Sequence, residues 1–305
     1  MTNAGLLRAT CVAVALATAV AAHDAPAAAN DAPARTPTLA NVPYGPDPRQ
    51  VLDFYRADTR EPAPLVLYLH GGAWVSGTKN WVKELTDLLD AGISVASVEY
   101  RLVGRAWAAG VRPPVAWPMQ DAARALQFVR RRAAEWHVDP TRICAFGNSA
   151  GGCTALWLAL HDDMADPASS DPVARQSTRL TCAATISAQT TLDPKLMRAW
   201  VPTIDYGAHA FGVGPDLARG LTPFENFLAQ RDALLPWIEK YSPIAHVTPD
   251  DPPIYLWYVT APSLGAADPH PEHSASFGEA LRRRLASVGV EAVLVYPRAE
   301  RAAYP

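Results

Sequence analysis

A serine between two glycines is the residue of this chain best placed to act as a nucleophile. The motif Gly147-Asn148-Ser149-Ala150-Gly151 follows a short apolar run, Ile143 to Phe146, and precedes an apolar stretch that reaches Leu160. We predict a buried strand before the motif and a helix after it, a context in which G-x-S-x-G forms a sharp turn with the serine hydroxyl at its tip. Glycines are needed there because flanking side chains would collide in so tight a turn. Ser149 is therefore the predicted nucleophile.

A second glycine pair predicts where negative charge would be stabilised. His70-Gly71-Gly72 ends a nearly continuous apolar run and stands 79 positions before Ser149. We predict that backbone N–H groups of Gly71, Gly72 and Ala150 form an oxyanion hole, in which each donor typically contributes about 3 kcal/mol of transition-state stabilisation. His70 itself is interpreted as a residue that orients the turn. The neighbouring side chains predicted to line the substrate pocket are Trp74 and Asn148, and a packing role is the open alternative for Trp74.

Apolar runs and helical spacing alternate along the rest of the chain. This alternation predicts one doubly wound α/β domain with a mostly parallel sheet. Residues 189–251 interrupt it with prolines, glycines and many aromatic residues. A stretch of this length inside a compact domain is usually functional, so we interpret it as a mostly helical cap over the site. The alternative is a structural excursion that covers only an edge of the sheet.

The N-terminal region has the composition of an export signal. Arg8 precedes an apolar run, Ala9 to Val20, which is too short to span a bilayer and ends in small residues. We predict a signal peptide over residues 1–22, a flexible Ala/Pro-rich linker over 23–48 and the folded domain over 49–305. The mature protein is then expected to be secreted or periplasmic.

Composition and cysteine count narrow the classes of partner and cofactor. A formal charge of -3 with 19% charged residues gives no electrostatic reason to expect nucleic acid or an anionic membrane as partner. The predicted mature chain keeps three cysteines, an odd number that leaves at least one unpaired. No spacing among them suggests a metal site, and we interpret all of them as small core residues. They are Cys144, Cys153 and Cys182.

Several segments together resemble a known superfamily. The stretches L-H-G-G-A-W, V-E-Y-R-L, D-A-A-R-A-L-Q-F-V, G-N-S-A-G-G and H-V-T-P-D-D-P-P-I are similar to α/β-hydrolases. The resemblance is strongest to the bifunctional feruloyl and acetyl xylan esterase (BD-FAE-like) group, near the hormone-sensitive-lipase-like carboxylesterases, and extends from about Val51 to Tyr296. It implies an eight-stranded, mostly parallel sheet with helices on both faces. It also implies serine-dependent hydrolysis of small-molecule or carbohydrate esters without a cofactor.

The sequence departs from this group in the residues that would assist the serine. The group's acid lies in a Gly-x-x-Asp-Pro pattern, which Gly265 to Pro269 resembles, so the resemblance implies Asp268 as the acid. The group's histidine follows the last strand, where this chain has Arg301 instead. Arginine cannot act as a base at neutral pH because its guanidinium stays protonated.

Three hypotheses follow from the missing histidine. His270 or His273, in the same loop as Asp268, supplies the base, and the spacing favours His273 because it directly precedes a predicted helix. Alternatively, the triad is weakened and the oxyanion hole provides a residual rate. Finally, the chain is a catalytically silent relative that binds an acyl or sugar ligand.

Overall fold

The computed structural model describes residues 35–83 and 85–297. The predicted signal peptide, the first part of the predicted linker and Arg301 lie outside the described residues, so export stays a prediction. Strands and helices alternate through most of the described chain, as expected. The strands, labelled β1 to β8 in chain order, are Leu39–Pro43, Val51–Tyr55, Ala63–Leu69, Ser94–Val98, Val138–Asn148, Cys182–Ile186, Ile254–Trp257 and Ala292–Val295.

Helices connect the strands and fill the insertion that precedes β7. The α-helices of the described residues, labelled α1 to α8, are Leu85–Asp90, Val103–Ala108, Ala116–Arg132, Ala150–Leu160, Pro194–Trp200, Pro223–Ala229, Arg231–Tyr241 and Ala275–Ser287. Short 3-10 turns accompany them at Lys79–Trp81, Ala208–Phe211, Pro243–His246 and Pro271–His273. None of the helices in the described part of the chain has both the length and the apolar character to cross a membrane.

The eight strands form one sheet in the order β1-β2-β4-β3-β5-β6-β7-β8. Pairs from β4 to β8 are parallel, whereas β1 and β2 add antiparallel strands at one side. The predicted fold, a mostly parallel eight-stranded sheet, is confirmed. In the register of β3 and β5, Leu69 pairs with Gly147. The turn that follows β3 therefore lies beside the turn that carries Ser149, at the carboxyl edge where ligands bind in such sheets.

The central strands are buried on both faces, as parallel strands between two helical layers must be. On one face, Leu67 of β3 belongs to a cluster with Leu126 of α3 and Leu156 of α4. On the other face, the neighbouring Val66 belongs to a second cluster with Leu88 of α1. Alternation along a single strand thus supplies both layers, which explains the nearly continuous apolar run in the sequence.

Part of the predicted linker belongs to the sheet. Residues of β1 pair with β2, and the N–H of Asn41 donates to Asp53 Oδ1 at 2.7 Å. Tyr44 is fully buried, and its hydroxyl donates to the carbonyl oxygen of Glu99 at 2.6 Å. The prediction of a flexible linker is therefore wrong from residue 39 onward. Because β1 is an edge strand with mostly exposed residues, it has no apolar alternation that would have revealed it.

Two of the three cysteines are joined, which corrects their interpretation as core residues only. Cys144 of β5 and Cys182 of β6 are direct partners in the parallel register, with Cα atoms 4.9 Å apart, and they form a disulfide. The pairing depends on strand register between segments 38 positions apart, which the sequence does not show. Cys153 is a free cysteine buried in α4, and burial raises the pKa of its thiol far above the usual range.

Candidate active site

Ser149 occupies the sharp turn between β5 and α4. Its backbone has φ 50° and ψ −124°, a positive-φ conformation that costs a non-glycine residue roughly 1–3 kcal/mol. The turn is held because the Ser149 N–H donates to the carbonyl oxygen of Ile186 at 2.8 Å. Only glycine fits at position 151, where a Cβ would lie 2.1 Å from the carbonyl oxygen of Leu69. The local chain thus fixes the serine at the carboxyl edge of the sheet.

The Ser149 hydroxyl contacts a histidine from a distant loop. Its Oγ lies 2.9 Å from Nε2 of His273, which is within hydrogen-bond distance. His273 ends the 3-10 turn Pro271–His273 directly before α8, and its N–H donates to the carbonyl oxygen of His270 at 2.9 Å. The Ser274 side chain caps α8 by accepting from the N–H of Ser276. His273 is therefore anchored by the start of a helix, as its sequence position suggested.

Asp268 and His270 of the same loop have different contacts. The Asp268 carboxylate accepts the N–H of His270 at 2.8 Å, and the Asp268 backbone exchanges hydrogen bonds with the hydroxyl of Thr203, each at 3.3 Å. Among the described residues, the acidic group that lies near His273 Nδ1 is instead Glu272, with Oε1 at 3.9 Å. The structure brings together Ser149 and His273 but does not place Asp268 on that histidine. Asp268 instead shapes the loop through an Asx-type turn.

The environment of His273 keeps its imidazole neutral at pH 7. Burial lowers the pKa of this half-buried side chain below its ordinary value, while the neighbouring Glu272 carboxylate raises it and His270 lowers it. A neutral imidazole has an unprotonated nitrogen that accepts a proton. With Nε2 facing the Ser149 hydroxyl, His273 can therefore act as a general base.

The turn after β3 contains three consecutive residues with positive φ. Gly72 has φ 99°, and the following Ala73 and Trp74 have φ 53° and 57°. A Cβ on Gly71 would lie 3.0 Å from Asn148 Oδ1, so this turn directly borders the residue before the nucleophile. No acceptor within residues 35–83 and 85–297 takes the N–H of Gly71, Gly72 or Ala150. The three N–H groups of the predicted oxyanion hole thus have no acceptor there, and their role in binding an oxyanion stays a prediction.

The two side chains predicted to line the substrate pocket are largely enclosed by protein. Trp74 is completely buried, and its indole N–H donates to the hydroxyl of Thr154 in α4 at 3.0 Å. This contact gives Trp74 a packing role beneath the turn. Asn148 Oδ1 is buried without a hydrogen-bond partner in the described part of the chain. Neither the Trp74 hydrogen bond nor the position of Asn148 identifies a substrate-binding pocket, so the pocket stays a prediction.

His70 packs beside the turn together with Glu99 and Tyr100, which belong to the V-E-Y-R-L stretch but had no predicted role. It is fully buried, stacks on Tyr100 with ring centroids 4.0 Å apart, and has Nε2 3.4 Å from Glu99 Oε1. Glu99 in turn binds the guanidinium of Arg49. The Tyr100 hydroxyl donates to the carbonyl oxygen of His70 at 2.6 Å. The position of Glu99 and Tyr100 directly after β4, beside the end of β3, was the available signal for this network.

The described part of the chain contains no candidate metal site. Across residues 35–83 and 85–297, no group of three or more His, Cys, Asp or Glu side chains is arranged to hold an ion.

Comparison with known proteins places this arrangement in a family. The family model BD-FAE matches residues 52–264, well over half of the chain. The matched segment includes the Gly71 turn and Ser149 but ends before Asp268 and His273. Arg301, the position at which the sequence departs from the family pattern, also lies beyond the matched segment.

Curated relatives share part of the chain. A probable isoprenylcysteine alpha-carbonyl methylesterase of Oryza sativa subsp. japonica is 32% identical over 133 residues, which are 43% of this chain and 30% of that protein. Esterase LipQ of Mycobacterium tuberculosis is 26% identical over 255 residues, 79% of this chain and 52% of that protein. The chain therefore spans only about a third to a half of the length of these relatives.

Solved structures share the fold. An acetyl ester-xyloside bifunctional hydrolase from Caldicellulosiruptor lactoaceticus superposes with a TM-score of 0.60 at 23% identity, covering 81% of this chain and 76% of that one. A truncated carbohydrate esterase from gut microbiota gives 0.59 at 19% identity, covering 85% and 86%. At these identities the likeness shows the architecture, whereas the extent of the family match shows membership. The chain belongs to the BD-FAE family.

Proposed function

We propose that the protein is a serine hydrolase of small carboxylic esters that works through an acyl-Ser149 intermediate. The observation that carries the proposal is the contact between Ser149 Oγ and His273 Nε2 at 2.9 Å. Beside it lies the turn of Gly71 and Gly72, whose amides have no acceptor among residues 35–83 and 85–297. A nucleophile within hydrogen-bond reach of a base is the arrangement that covalent acyl transfer requires.

The proposed reaction has two halves. His273 Nε2 takes the proton of Ser149 as Oγ attacks the ester carbonyl, and the N–H groups of Gly71, Gly72 and Ala150 bind the resulting oxyanion. His273 then returns the proton to the departing alcohol, which leaves an acyl ester on Ser149. In the second half, His273 takes a proton from water, the hydroxide attacks the acyl carbon, and the carboxylic acid departs as Ser149 regains its proton.

Acetyl or feruloyl-type esters, including those on polysaccharide, are the substrate class that we propose. The fold neighbour from C. lactoaceticus is described as an acetyl ester-xyloside hydrolase, and the gut neighbour as a carbohydrate esterase. The rival hypothesis of a silent relative depended on Arg301 at the position of the family histidine. It is not favoured, because a histidine from another loop contacts Ser149.

A labelling experiment tests the proposed function. The purified chain should hydrolyse p-nitrophenyl acetate and react once with a fluorophosphonate probe, and peptide mapping should find the adduct on Ser149. Prior reaction with the probe should remove hydrolysis in proportion to labelling. Heat-unfolded chain is the control, because its serines lack the base and the oxyanion hole. A folded chain that neither reacts with the probe nor hydrolyses the ester would overturn the proposal.

The pH dependence of turnover should report the environment of His273. Since the base must be neutral, kcat/KM should be constant at neutral pH and fall as the pH drops through the pKa of His273. Burial places the pKa of His273 below the ordinary histidine value, so kcat/KM should fall at a pH lower than that ordinary value. Glu272→Gln removes the carboxylate that raises this pKa and should move the fall to lower pH.

Asp268→Asn is the matched comparison for the pH profile. In the structure its carboxylate binds the N–H of His270 and has no contact with His273, so the position of the acidic fall should not move. If Asp268→Asn moves the fall and Glu272→Gln does not, Asp268 is the carboxylate that His273 senses in solution, as the family resemblance implied.

A further inference from the structure

The insertion before β7 makes a polar contact with the turn that carries the predicted oxyanion donors. His209 lies in the 3-10 turn Ala208–Phe211, and its Nε2 is 3.0 Å from the carbonyl oxygen of Ala73. A carbonyl oxygen only accepts hydrogen bonds, so Nε2 carries the proton and donates it. The contact joins residues 136 positions apart and connects the insertion to the turn at the carboxyl edge of the sheet.

The acceptor belongs to a strained segment that needs external support. Ala73 and Trp74 both have left-handed backbone, which residues with a Cβ rarely adopt unless the surroundings hold them there. The carbonyl of Gly72 accepts the N–H groups of Val75 and Ser76 at 2.9 and 3.0 Å, and that of Trp74 accepts the N–H of Val103 at 2.9 Å. The carbonyl between them, that of Ala73, is held by His209. The insertion therefore supplies the hydrogen bond to the middle one of three successive carbonyls in this turn.

His209 is itself fixed well enough to act as a support. The carbonyl oxygen of Ala210 accepts the N–H of Val115 at 3.0 Å, which ties the 3-10 turn to the residue before α3. Phe211 stacks on Phe227 of α6 with centroids 5.0 Å apart, and Tyr206 packs edge-on against the His209 ring at 5.1 Å. Burial lowers the pKa of His209, so the ring is a neutral donor at pH 7.

We propose that His209 is a positioning residue for the proposed ester hydrolysis. By donating to Ala73 it holds the turn so that the amides of Gly71 and Gly72 face Ser149. It touches neither the nucleophile nor the base in the structure, and it acts only through the backbone of the turn. The proposal rests on the proposed function and adds to it that the insertion helps to position the amides of the oxyanion hole.

Three substitutions at one position test this role. His209→Leu fills the space without a donor and should lower kcat by about tenfold to a hundredfold with KM changed little, because a displaced donor mainly affects the transition state. His209→Gln can place its Nε2–H near the position of the imidazole Nε2–H and should restore most of the turnover. His209→Asn, whose amide is shorter, should resemble His209→Leu although it is equally polar.

His246→Leu is the matched control. His246 also lies in the insertion, and its Nε2 is 2.9 Å from the carbonyl oxygen of Lys240, away from the turn. We expect its kcat to stay within about twofold of wild type. Active-site titration with a fluorophosphonate and thermal unfolding of every variant separate a lower rate per site from a smaller folded fraction.

The outcomes of these measurements either support or overturn the positioning role of His209. Slow turnover in Leu and Asn variants at a wild-type active-site titre, with recovery in Gln, supports the positioning role. Wild-type turnover in all three variants, or a loss fully accounted for by the titre, overturns it while the proposed function stands. If His209→Leu does not fold, Asn and Gln variants with equal turnover overturn it. An inert wild-type chain overturns both proposals.

Discussion

Replacement of Ser149 by alanine should lower kcat/KM for p-nitrophenyl acetate by on the order of 10⁴–10⁶-fold, the range seen when a nucleophile of this kind is removed. The positive-φ backbone of the turn is held by the bond to Ile186 and by the glycine at position 151, neither of which involves the hydroxyl. Alanine should therefore leave the fold and the oxyanion donors in place and remove only the attacking oxygen. A residual rate above that of water is expected from the donors alone.

Ser187 provides a matched control for this substitution. It follows β6 as Ser149 follows β5, and it has the same φ of 50° with its N–H donating to the carbonyl oxygen of Trp257 at 2.8 Å. Ser187→Ala should keep turnover within a few-fold of wild type and should still react with a fluorophosphonate. Wild-type turnover in Ser149→Ala, or a loss confined to Ser187→Ala, would contradict an acyl-Ser149 route.

The parts of the site that could be predicted from the sequence are those encoded by consecutive residues. The Ser149 turn and the Gly71 turn each combine a strand, glycines and a following element within about ten positions. Their local chemistry dictates their conformation, and the parallel order of the strands brings them together. His273 could be proposed as the base because the helix that follows it holds the backbone of this residue in place.

The remaining features depend on contacts between distant segments. The bond from His209 to Ala73 and the Cys144–Cys182 disulfide require knowledge of which backbone lies next to which. Asp268 shows the limit of reasoning from a family pattern. Its Gly-x-x-Asp-Pro context is present, but the path of the loop directs the carboxylate to the N–H of His270. A motif specifies residue types, whereas the direction of a side chain in a loop depends on the whole surrounding structure.

The second large effect is expected at His273, whose replacement by alanine should lower kcat/KM by at least about 10³-fold. Without a base, the Ser149 hydroxyl must lose its proton to water, and the leaving alcohol must do without a proton donor. His273→Gln should be equally impaired, although an amide can still hydrogen-bond the hydroxyl, because it cannot carry the proton. This pair of variants separates proton transfer from simple orientation of Ser149.

His270→Ala is the control that tests which histidine of the loop is the base. His270 is exposed. Its backbone N–H donates to Asp268 and its carbonyl oxygen accepts the N–H of His273, and alanine retains both of these backbone bonds. Turnover of His270→Ala should therefore stay close to wild type, and added imidazole should restore part of the activity to His273→Ala alone. The opposite pattern would identify His270 as the base. Wild-type turnover in both variants would mean that the base is not in this loop, and that the 2.9 Å contact between Ser149 and His273 plays no part in catalysis.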